Sequence, residues 1–159
     1  MDWKKTINKD WTLFLDRDGV INVRIVDGYV TKIDEFEFLP NVLDAFKIFN
    51  EKFARIIIVT NQQGVGKGIM KNEDVENVHL YMIQQVTNNG GRIDKVYFFS
   101  QLKSVADNYR KPNPQMAYFA KNEFPDIDLE KSATAELDTH AGHGEAALER
   151  NGLIHFHTL

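Results

Sequence analysis

The chain has 159 residues, 43% apolar and 26% charged, which is the size and composition of one folded globular domain spanning 1–159. Its net charge is -4 and its lysines and arginines are scattered, which argues against general nucleic-acid binding. It has no cysteine, which excludes disulfides, a thiolate nucleophile and Cys-ligated metal.

The cellular location expected from the sequence is the cytoplasm. Residues 1–5 lack the apolar stretch of a signal peptide. No apolar run approaches the roughly 20 residues that a membrane helix needs. We therefore expect a protein that is not attached to a membrane. We also expect it to be a monomer.

Apolar runs alternate with amphipathic stretches through the first two thirds of the chain. Short apolar runs at 11–15, 56–59 and 95–99 predict buried strands. Apolar residues at helical spacing predict helices over 42–49, 73–88 and 114–122. In the tail, the pattern predicts a strand near 132–137, a helix near 144–151 and a last strand near 153–157.

This alternation predicts an α/β fold, a doubly wound parallel sheet with helices on both faces in three α/β/α layers. Ligands of such sheets bind at the carboxyl ends of the strands, where the loops gather. Two polar clusters, 16–18 and 60–63, follow predicted strands. The fold prediction therefore also predicts where the site lies.

Asp16 and Asp18 follow the first predicted strand, and Gly19 permits the turn that brings their carboxylates together. One carboxylate can act as a nucleophile and the other as a general acid and base. Paired carboxylates also hold Mg²⁺. The competing interpretation is an ordinary solvated turn.

Thr60 and Asn61 follow the second predicted strand. Their hydroxyl and amide are suited to hydrogen bonds with phosphoryl oxygens, and equally suited to capping a following helix. The Gly66-Lys67 pair nearby fails as a P-loop, because Asn61 replaces the first glycine and Gly68 replaces the serine or threonine. Residues 64–68 are instead predicted to form a turn, with Lys67 near a phosphate.

Arg110 and Lys111 place two cations just before the third predicted helix, and Pro112 restricts Lys111 to extended geometry. A cation fixed in this way can stabilise a phosphate and a negatively charged nucleophile. An Arg-Lys pair on its own more often lies in solvent at the surface without a specific role.

The order Asp-x-Asp, Thr-Asn, then Lys-Pro, each at its predicted position, is more specific than any one part. The sequence resembles the haloacid dehalogenase superfamily, in its branch of histidinol-phosphate and heptose bisphosphate phosphatases. The resemblance covers about 11–122 and is carried by residues 14–22, 27–30, 36–40, 59–68 and 110–114.

The resemblance implies a Mg²⁺-dependent phosphatase acting on a small phosphorylated metabolite. It assigns Asp16 as the nucleophile and a metal ligand, and Asp18 as the general acid and base with its carbonyl on the metal. It assigns Thr60 and Asn61 to phosphate binding. The remaining assignments are Lys111 as the cation orienting nucleophile and phosphate, and Arg110 as a substrate contact.

The sequence departs from the family pattern at two places. Residues 99–109 contain no cysteine or histidine, so the structural zinc of the heptose branch is not expected. The fourth family motif, Gly-Asp-x-x-x-Asp, is missing after residue 132. Asp138 is the best stand-in as a metal ligand and Glu136 the second, although Gly142 occupies the position four beyond Asp138.

Two alternative functions follow from the same residues. A catalytically impaired relative would bind a phosphorylated ligand or a protein partner without turnover. A signalling receiver domain would carry its phosphorylated aspartate after the third strand, but Ser100 follows that strand here.

The spacing of the motifs excludes a large inserted cap domain. Only 44 positions separate Asp16 from Thr60, and 51 separate Thr60 from Lys111. We therefore expect a capless domain with an open site, in which short loops such as 23–33 select the substrate.

Overall fold

The computed structural model describes residues 3–106, 108–137 and 146–151. Short 3-10 helices span Trp3–Thr6 and Ile33–Glu35. The strands are β1 (Thr12–Leu15), β2 (Arg55–Asn61), β3 (Lys95–Phe99), β4 (Ser132–Leu137) and β5 (Ala146–Asn151). The helices are α1 (Val42–Lys52), α2 (Asn72–Asn88) and α3 (Gln115–Glu123).

The five strands form one sheet in the order β3-β2-β1-β4-β5. The first four strands are parallel, and β5 pairs with β4 in the antiparallel sense. The chain moves outward from β1 to β3 and then returns to the other side of β1. The order of the strands therefore reverses beside β1, and in sheets of this kind ligands bind at the carboxyl ends of the strands at such a point.

The central strands are buried on both faces, and alternate side chains enter separate cores. Leu13 and Leu15 of β1 join a core that contains Phe46 of α1 and Val78 of α2. Phe14, between them, joins a second core with residues of α3. The period-two alternation of a strand thus produces the three layers, and the predicted doubly wound α/β architecture is confirmed.

Strand β2 is longer than predicted, so Thr60 and Asn61 are its last residues rather than part of the following loop. The helix that follows, α2, begins only at Asn72. Neither residue therefore caps a helix, and that interpretation is wrong.

The tail differs from the prediction. Residues 146–151, within the predicted helix, form β5, while β4 lies where a strand was predicted. Six residue pairs join β5 to β4, from Ser132↔Asn151 to Leu137↔Ala146. Pairing with a sheet edge outweighs the helical preference of this segment. The strand predicted at 153–157 lies outside the described residues. No helix in the described part of the chain is long and apolar enough to cross a membrane.

Candidate active site

Asp16 lies at the carboxyl end of β1, where its backbone N–H donates to the carbonyl of Ala135 in β4 at 3.0 Å. Its side chain is buried, and its Oδ2 lies 3.0 Å from Nζ of Lys111. The same ammonium lies 2.8 Å from Oε1 of Glu136. A buried lysine therefore lies between carboxylates from neighbouring strands, which makes the negative charge of Asp16 tolerable in the interior.

The carboxylate of Asp18 is surrounded by hydrogen-bond donors. Nη2 of Arg17 donates to both of its oxygens, at 3.0 and 3.1 Å. The amide of Asn22 donates to Oδ1 at 3.0 Å, and the amide of Gln62 donates to Oδ2 at 2.8 Å. Both oxygens are therefore held in fixed directions. The turn that follows Asp18 depends on Gly19, whose φ is +83°.

Burial alone would raise the pKa of Asp18, but the charge of Arg17 and the hydrogen bonds from Asn22, Arg17 and Gln62 together bring that pKa below its ordinary value. The free protein therefore carries Asp18 as a carboxylate at neutral pH.

Arg17 lies beneath the site and is buried along its whole length, with 0% of its surface exposed. Its Nη1 faces Nε2 of His79, in α2, at 3.1 Å. Burial first, and then the positive charge of Arg17, lower the pKa of His79 to about 3. His79 is therefore neutral at physiological pH.

Thr60 and Asn61 have different surroundings. Thr60 is buried, and its Oγ1 accepts a hydrogen bond from the amide of Gln62 at 3.0 Å, which links it to Asp18. Asn61 accepts from the backbone N–H of Lys111 at 3.0 Å and donates to the carbonyl of Lys111 at 3.3 Å. Asn61 thereby joins the end of β2 to the segment that carries the lysine.

A cavity of about 470 Å³ opens above the two aspartates. The loop 23–33 contributes one wall, and its role in substrate selection stays a prediction. The lining residues are Asp16, Asp18, Arg24, Ile25, Asp27, Gly28, Tyr29, Asn61, Gln63, Lys67 and Arg110. The cavity thus joins the carboxylate pair to a wall that carries Arg24, Lys67 and Arg110.

The loops around the cavity are closely packed. A Cβ on Gly64 would lie 2.9 Å from the Tyr29 ring, so only glycine allows these loops to approach so closely. A Cβ on Gly66 would lie 2.6 Å from the backbone nitrogen of Leu102. The ammonium of Lys67 lies 5.4 Å from the centre of the Tyr29 ring. The loops that bound the cavity therefore pack directly against one another.

The structure brings together most of the residues that the sequence singled out. Asp16 contacts Lys111 directly, Asp18 is linked to Thr60 through Gln62, and Asn61 holds the backbone of Lys111. Arg110 lines the cavity, donates from Nη1 to the carbonyl of Lys111 at 2.9 Å, and has a buried Nε with no hydrogen-bond partner among the described residues.

The sequence offers two candidates for the third metal ligand, and both stay predictions. Glu136 forms an ion pair with Lys111, as Asp16 does. Asp138 lies outside the described residues, so its role as a metal ligand stays a prediction.

The sequence analysis assigned no role to three residues near Asp18: Arg17, Gln62 and His79. Arg17 stands between two aspartates and is indistinguishable in the sequence from a surface arginine. His79 lies on the apolar face of α2 with Val75 and Val78, and that position on the buried face is the one signal that could have indicated it.

The oxygen donors of the site suit a hard cation. The carboxylates of Asp16 and Asp18 line one cavity, and Mg²⁺ is commonly held by one or two carboxylates together with substrate phosphate and water. Among residues 3–106, 108–137 and 146–151, no group of three or more His, Asp or Glu side chains could hold a metal ion. Within the described residues the site therefore offers oxygen donors, the carboxylate of Asp16 among them, that fit a magnesium ion.

An α/β sheet with an Asp-x-Asp loop after its first strand and a buried lysine facing the first aspartate defines a domain of the haloacid dehalogenase type. A family profile described as "Polynucleotide kinase 3 phosphatase" matches residues 12–146. The chain belongs to the haloacid dehalogenase superfamily, in the branch that contains the heptose bisphosphate phosphatases.

Two curated relatives carry the name D-glycero-alpha-D-manno-heptose-1,7-bisphosphate 7-phosphatase. The protein of Mycobacterium tuberculosis H37Rv is 39% identical over 118 residues, covering 74% of this chain and 62% of the relative. That of Campylobacter jejuni is 36% identical over 124 residues, covering 78% of this chain and 69% of the relative. The chain thus spans roughly two thirds of the length of these relatives.

A solved structure is similar over most of the described residues. The D,D-heptose 1,7-bisphosphate phosphatase of B. bronchiseptica, complexed with magnesium and phosphate, has a TM-score of 0.68 and 28% identity. The match covers 75% of this chain and 65% of that one.

Proposed function

We propose that the protein is a magnesium-dependent phosphomonoester hydrolase that acts through an aspartyl-phosphate on Asp16. The observation that carries this proposal is the buried Asp16–Lys111 contact of 3.0 Å beside Asp18 at the floor of a cavity. A cation at this distance stabilises a carboxylate in its charged, nucleophilic form and offsets negative charge on an arriving phosphate.

In the first step, a carboxylate oxygen of Asp16 attacks the phosphorus of the bound ester. The bond between phosphorus and the ester oxygen breaks, and the leaving oxygen takes a proton from Asp18. The proton reaches Asp18 when the phosphate binds, because a neighbouring negative charge raises the pKa of a carboxylate. A phosphate monoester also carries an exchangeable proton near neutral pH, since its second pKa is about 6.

In the second step, Asp18 removes a proton from a water molecule, and the resulting hydroxide attacks the phosphorus of the acyl phosphate. The bond between phosphorus and the Asp16 oxygen breaks, releasing inorganic phosphate and restoring the carboxylate. Lys111 remains beside Asp16 in both steps and stabilises charge on the transferred group. Uncatalysed hydrolysis of such esters is so slow that a rate enhancement of up to ~10²¹ is required.

Asp16, the backbone carbonyl of Asp18 and Asp138 are the residues we propose to hold Mg²⁺. When bound, the ion supplies positive charge that neutralises phosphate oxygens. The solved relative from B. bronchiseptica, complexed with magnesium and phosphate, supports this choice of metal.

The substrate we propose is a small sugar bisphosphate. The cavity of about 470 Å³ has room for such a metabolite, and Arg24, Lys67 and Arg110 line it at positions suited to a second anionic group. The names of the curated relatives support the same substrate class. Histidinol phosphate, which carries a cationic amine, suits this wall less well.

The test is release of phosphate from a heptose bisphosphate and from histidinol phosphate, with Mg²⁺ and after its removal by EDTA. We expect Mg²⁺-dependent release with a preference for the bisphosphate. Asp16→Asn should lower the rate about 10³-fold or more, as loss of a nucleophile does in other covalent enzymes. Asp44→Asn, which changes an exposed carboxylate paired with Lys47, is the matched control. Equal release by wild type and Asp16→Asn would exclude the proposed nucleophile.

The alternative function is binding of a phosphorylated ligand without turnover. It is favoured by one observation, the lack of a three-residue acidic or histidine cluster within the described residues. Calorimetric titration with Mg²⁺ in the presence of inorganic phosphate separates the two functions. An impaired relative should bind phosphate but show little affinity for the metal.

A further inference from the structure

Arg17 is buried in an unusual way for a residue between two active-site aspartates. None of its surface is exposed, it does not line the cavity, and its Nε has no hydrogen-bond partner in the described part of the chain. A buried guanidinium is costly unless its partners are well placed. Its two remaining nitrogens have such partners: Nη2 bonds Asp18 and Nη1 faces His79.

The guanidinium connects Asp18 to α2. Its Nη2 bonds both oxygens of Asp18, and its Nη1 lies 3.1 Å from Nε2 of His79. A guanidinium has donors only, so Nε2 must be the acceptor and the ring proton must lie on Nδ1. The His79 ring is held in turn by an edge-to-face contact with Phe98, with ring centres 5.4 Å apart.

We propose that Arg17 and His79 are positioning residues that fix the direction of the Asp18 carboxylate toward the leaving oxygen, an inference that rests on the proposed function. A carboxylate rotates readily about its last bond because terminal torsions of this kind have broad minima. The side chain of Asp18 is 25% exposed, so packing alone does not lock it. Two anchored nitrogens of one planar group fix that rotation, and a residue wholly enclosed by protein cannot serve by touching the substrate.

The alternative explanation is that Arg17 and His79 only fill the interior. The two explanations differ in which substrates they affect. An alkyl phosphate needs a proton on its leaving oxygen, whereas p-nitrophenyl phosphate releases a stable anion that needs none. Misdirection of Asp18 therefore slows formation of the aspartyl-phosphate from the alkyl ester selectively, whereas partial unfolding slows it equally from both.

The experiment measures single-turnover formation of the aspartyl-phosphate from each ester, with Mg²⁺, in wild type, His79→Leu and His79→Gln. With the alkyl ester, we expect His79→Leu to be slower by about 10-fold, the smaller end of losses seen when a residue supporting a site is removed. With p-nitrophenyl phosphate, the rate should stay within about 2-fold of wild type. His79→Gln should restore the alkyl rate, because its amide oxygen accepts from Nη1.

Two further variants keep the inference falsifiable. Arg17→Lys retains the cation but cannot contact both partners, and should show the same selective loss if His79→Leu does not fold. Val86→Ala, at a buried position of α2, is the control for lost stability and should leave the ratio of the two rates unchanged. The inference is overturned if the two esters slow equally in His79→Leu, or if His79→Gln performs no better than His79→Leu. A wild-type protein that forms no aspartyl-phosphate from either ester would instead overturn the proposed function.

Discussion

Asn61 and Lys111 form a reciprocal pair of hydrogen bonds in which a side-chain amide engages both backbone groups of the lysine. The Lys111 N–H donates to Oδ1 of Asn61 at 3.0 Å, and Nδ2 of Asn61 donates to the Lys111 carbonyl at 3.3 Å. The last residue of β2 thereby fixes the segment from which the Lys111 ammonium reaches Asp16. The arrangement indicates that Asn61 positions Lys111 beside Asp16, in addition to its proposed phosphate contact.

Asn61→Ala should therefore lower kcat as well as weaken substrate binding. Removing two hydrogen bonds to the backbone of Lys111 should cost about 1–3 kcal/mol of folding free energy. Steady-state kinetics and urea unfolding measure the two effects, with Asn89→Ala, at an exposed position, as the control. A higher KM with unchanged kcat and stability would restrict Asn61 to ligand binding.

Lys111→Met should abolish phosphate release and destabilise the protein. The substitution leaves the carboxylates of Asp16 and Glu136 buried without the cation that lies between them. Breaking a buried ion pair by removing one partner costs about 3–5 kcal/mol. Urea unfolding without Mg²⁺ measures the loss of stability.

A double variant and a control variant test the Lys111 prediction further. Lys111→Met combined with Glu136→Gln should recover much of the lost stability but none of the activity, because one uncompensated charge is removed while the cation remains absent. Lys131→Met, which breaks an exposed ion pair with Asp10, should change stability by less than about 1 kcal/mol. Activity in Lys111→Met near that of wild type would contradict the role assigned to this lysine.

The free energy of unfolding should decrease as the pH is lowered, because His79 is held neutral in the folded protein. Its pKa is about 3 in the folded protein, below the ordinary value of 6.5. The unfolded chain therefore takes up a proton below pH 6.5 that the folded protein does not bind. This contribution to stability is intact above pH 6.5 and is lost at up to about 1.4 kcal/mol per pH unit until the pH approaches the folded value.

Urea unfolding at pH 7.5, 6.0 and 5.0 tests the His79 prediction in a range above the ordinary pKa values of carboxylates. His79→Gln should show a flatter dependence than wild type, since the other four histidines remain in both proteins. If the free energy of unfolding changed equally with pH in the two proteins, His79 would not be held neutral by burial.

Gly66→Ala should disturb the cavity wall. The new methyl group would lie 2.6 Å from the backbone nitrogen of Leu102 and 2.8 Å from the carbonyl carbon of Gln101, and backbone atoms have little freedom to move. We expect a loss of about 1–3 kcal/mol in stability and a higher KM, because the adjacent Lys67 lines the cavity. Thermal unfolding and steady-state kinetics measure both.

Gly68→Asn is the matched control for Gly66→Ala. Gly68 has φ +72° and no atom within 4 Å of its would-be Cβ, and asparagine tolerates this backbone region better than other side chains. A loss in Gly66→Ala no larger than in Gly68→Asn would show that the contact with 101–102 does not constrain the loop.

Much of the fold could be predicted because the buried strands are continuous apolar runs. The apolar runs at 56–58 and 95–99 strongly favour strands. The polar residues at the carboxyl ends of β1 and β2 must then lie at the same edge of the sheet, because the two strands are parallel. That edge is where Asp16, Asp18 and Lys111 meet. The order of the polar clusters along the chain therefore indicates the site from the sequence alone.

What the sequence could not reveal depends on contacts between distant segments. The helix predicted over 144–151 was wrong because its residues have a helical preference that pairing with β4 overrides. The buried Arg17 contacts His79, which lies 62 positions away in α2, and nothing in the local sequence marks that contact. The ion pair between Glu136 and Lys111 likewise joins segments that are far apart in the sequence, so it could be found only in three dimensions.

The register of β1 determines how substitutions in this strand affect the position of Asp16. Leu15 pairs with Ile58 on one side and Ala135 on the other, and the next residue is Asp16. A slip of one residue would move the aspartate about 3.3 Å and turn its side chain toward the opposite layer. Substitutions that shift this strand should therefore abolish the proposed activity, because the position of Asp16 depends on the register of β1 with both of its neighbours.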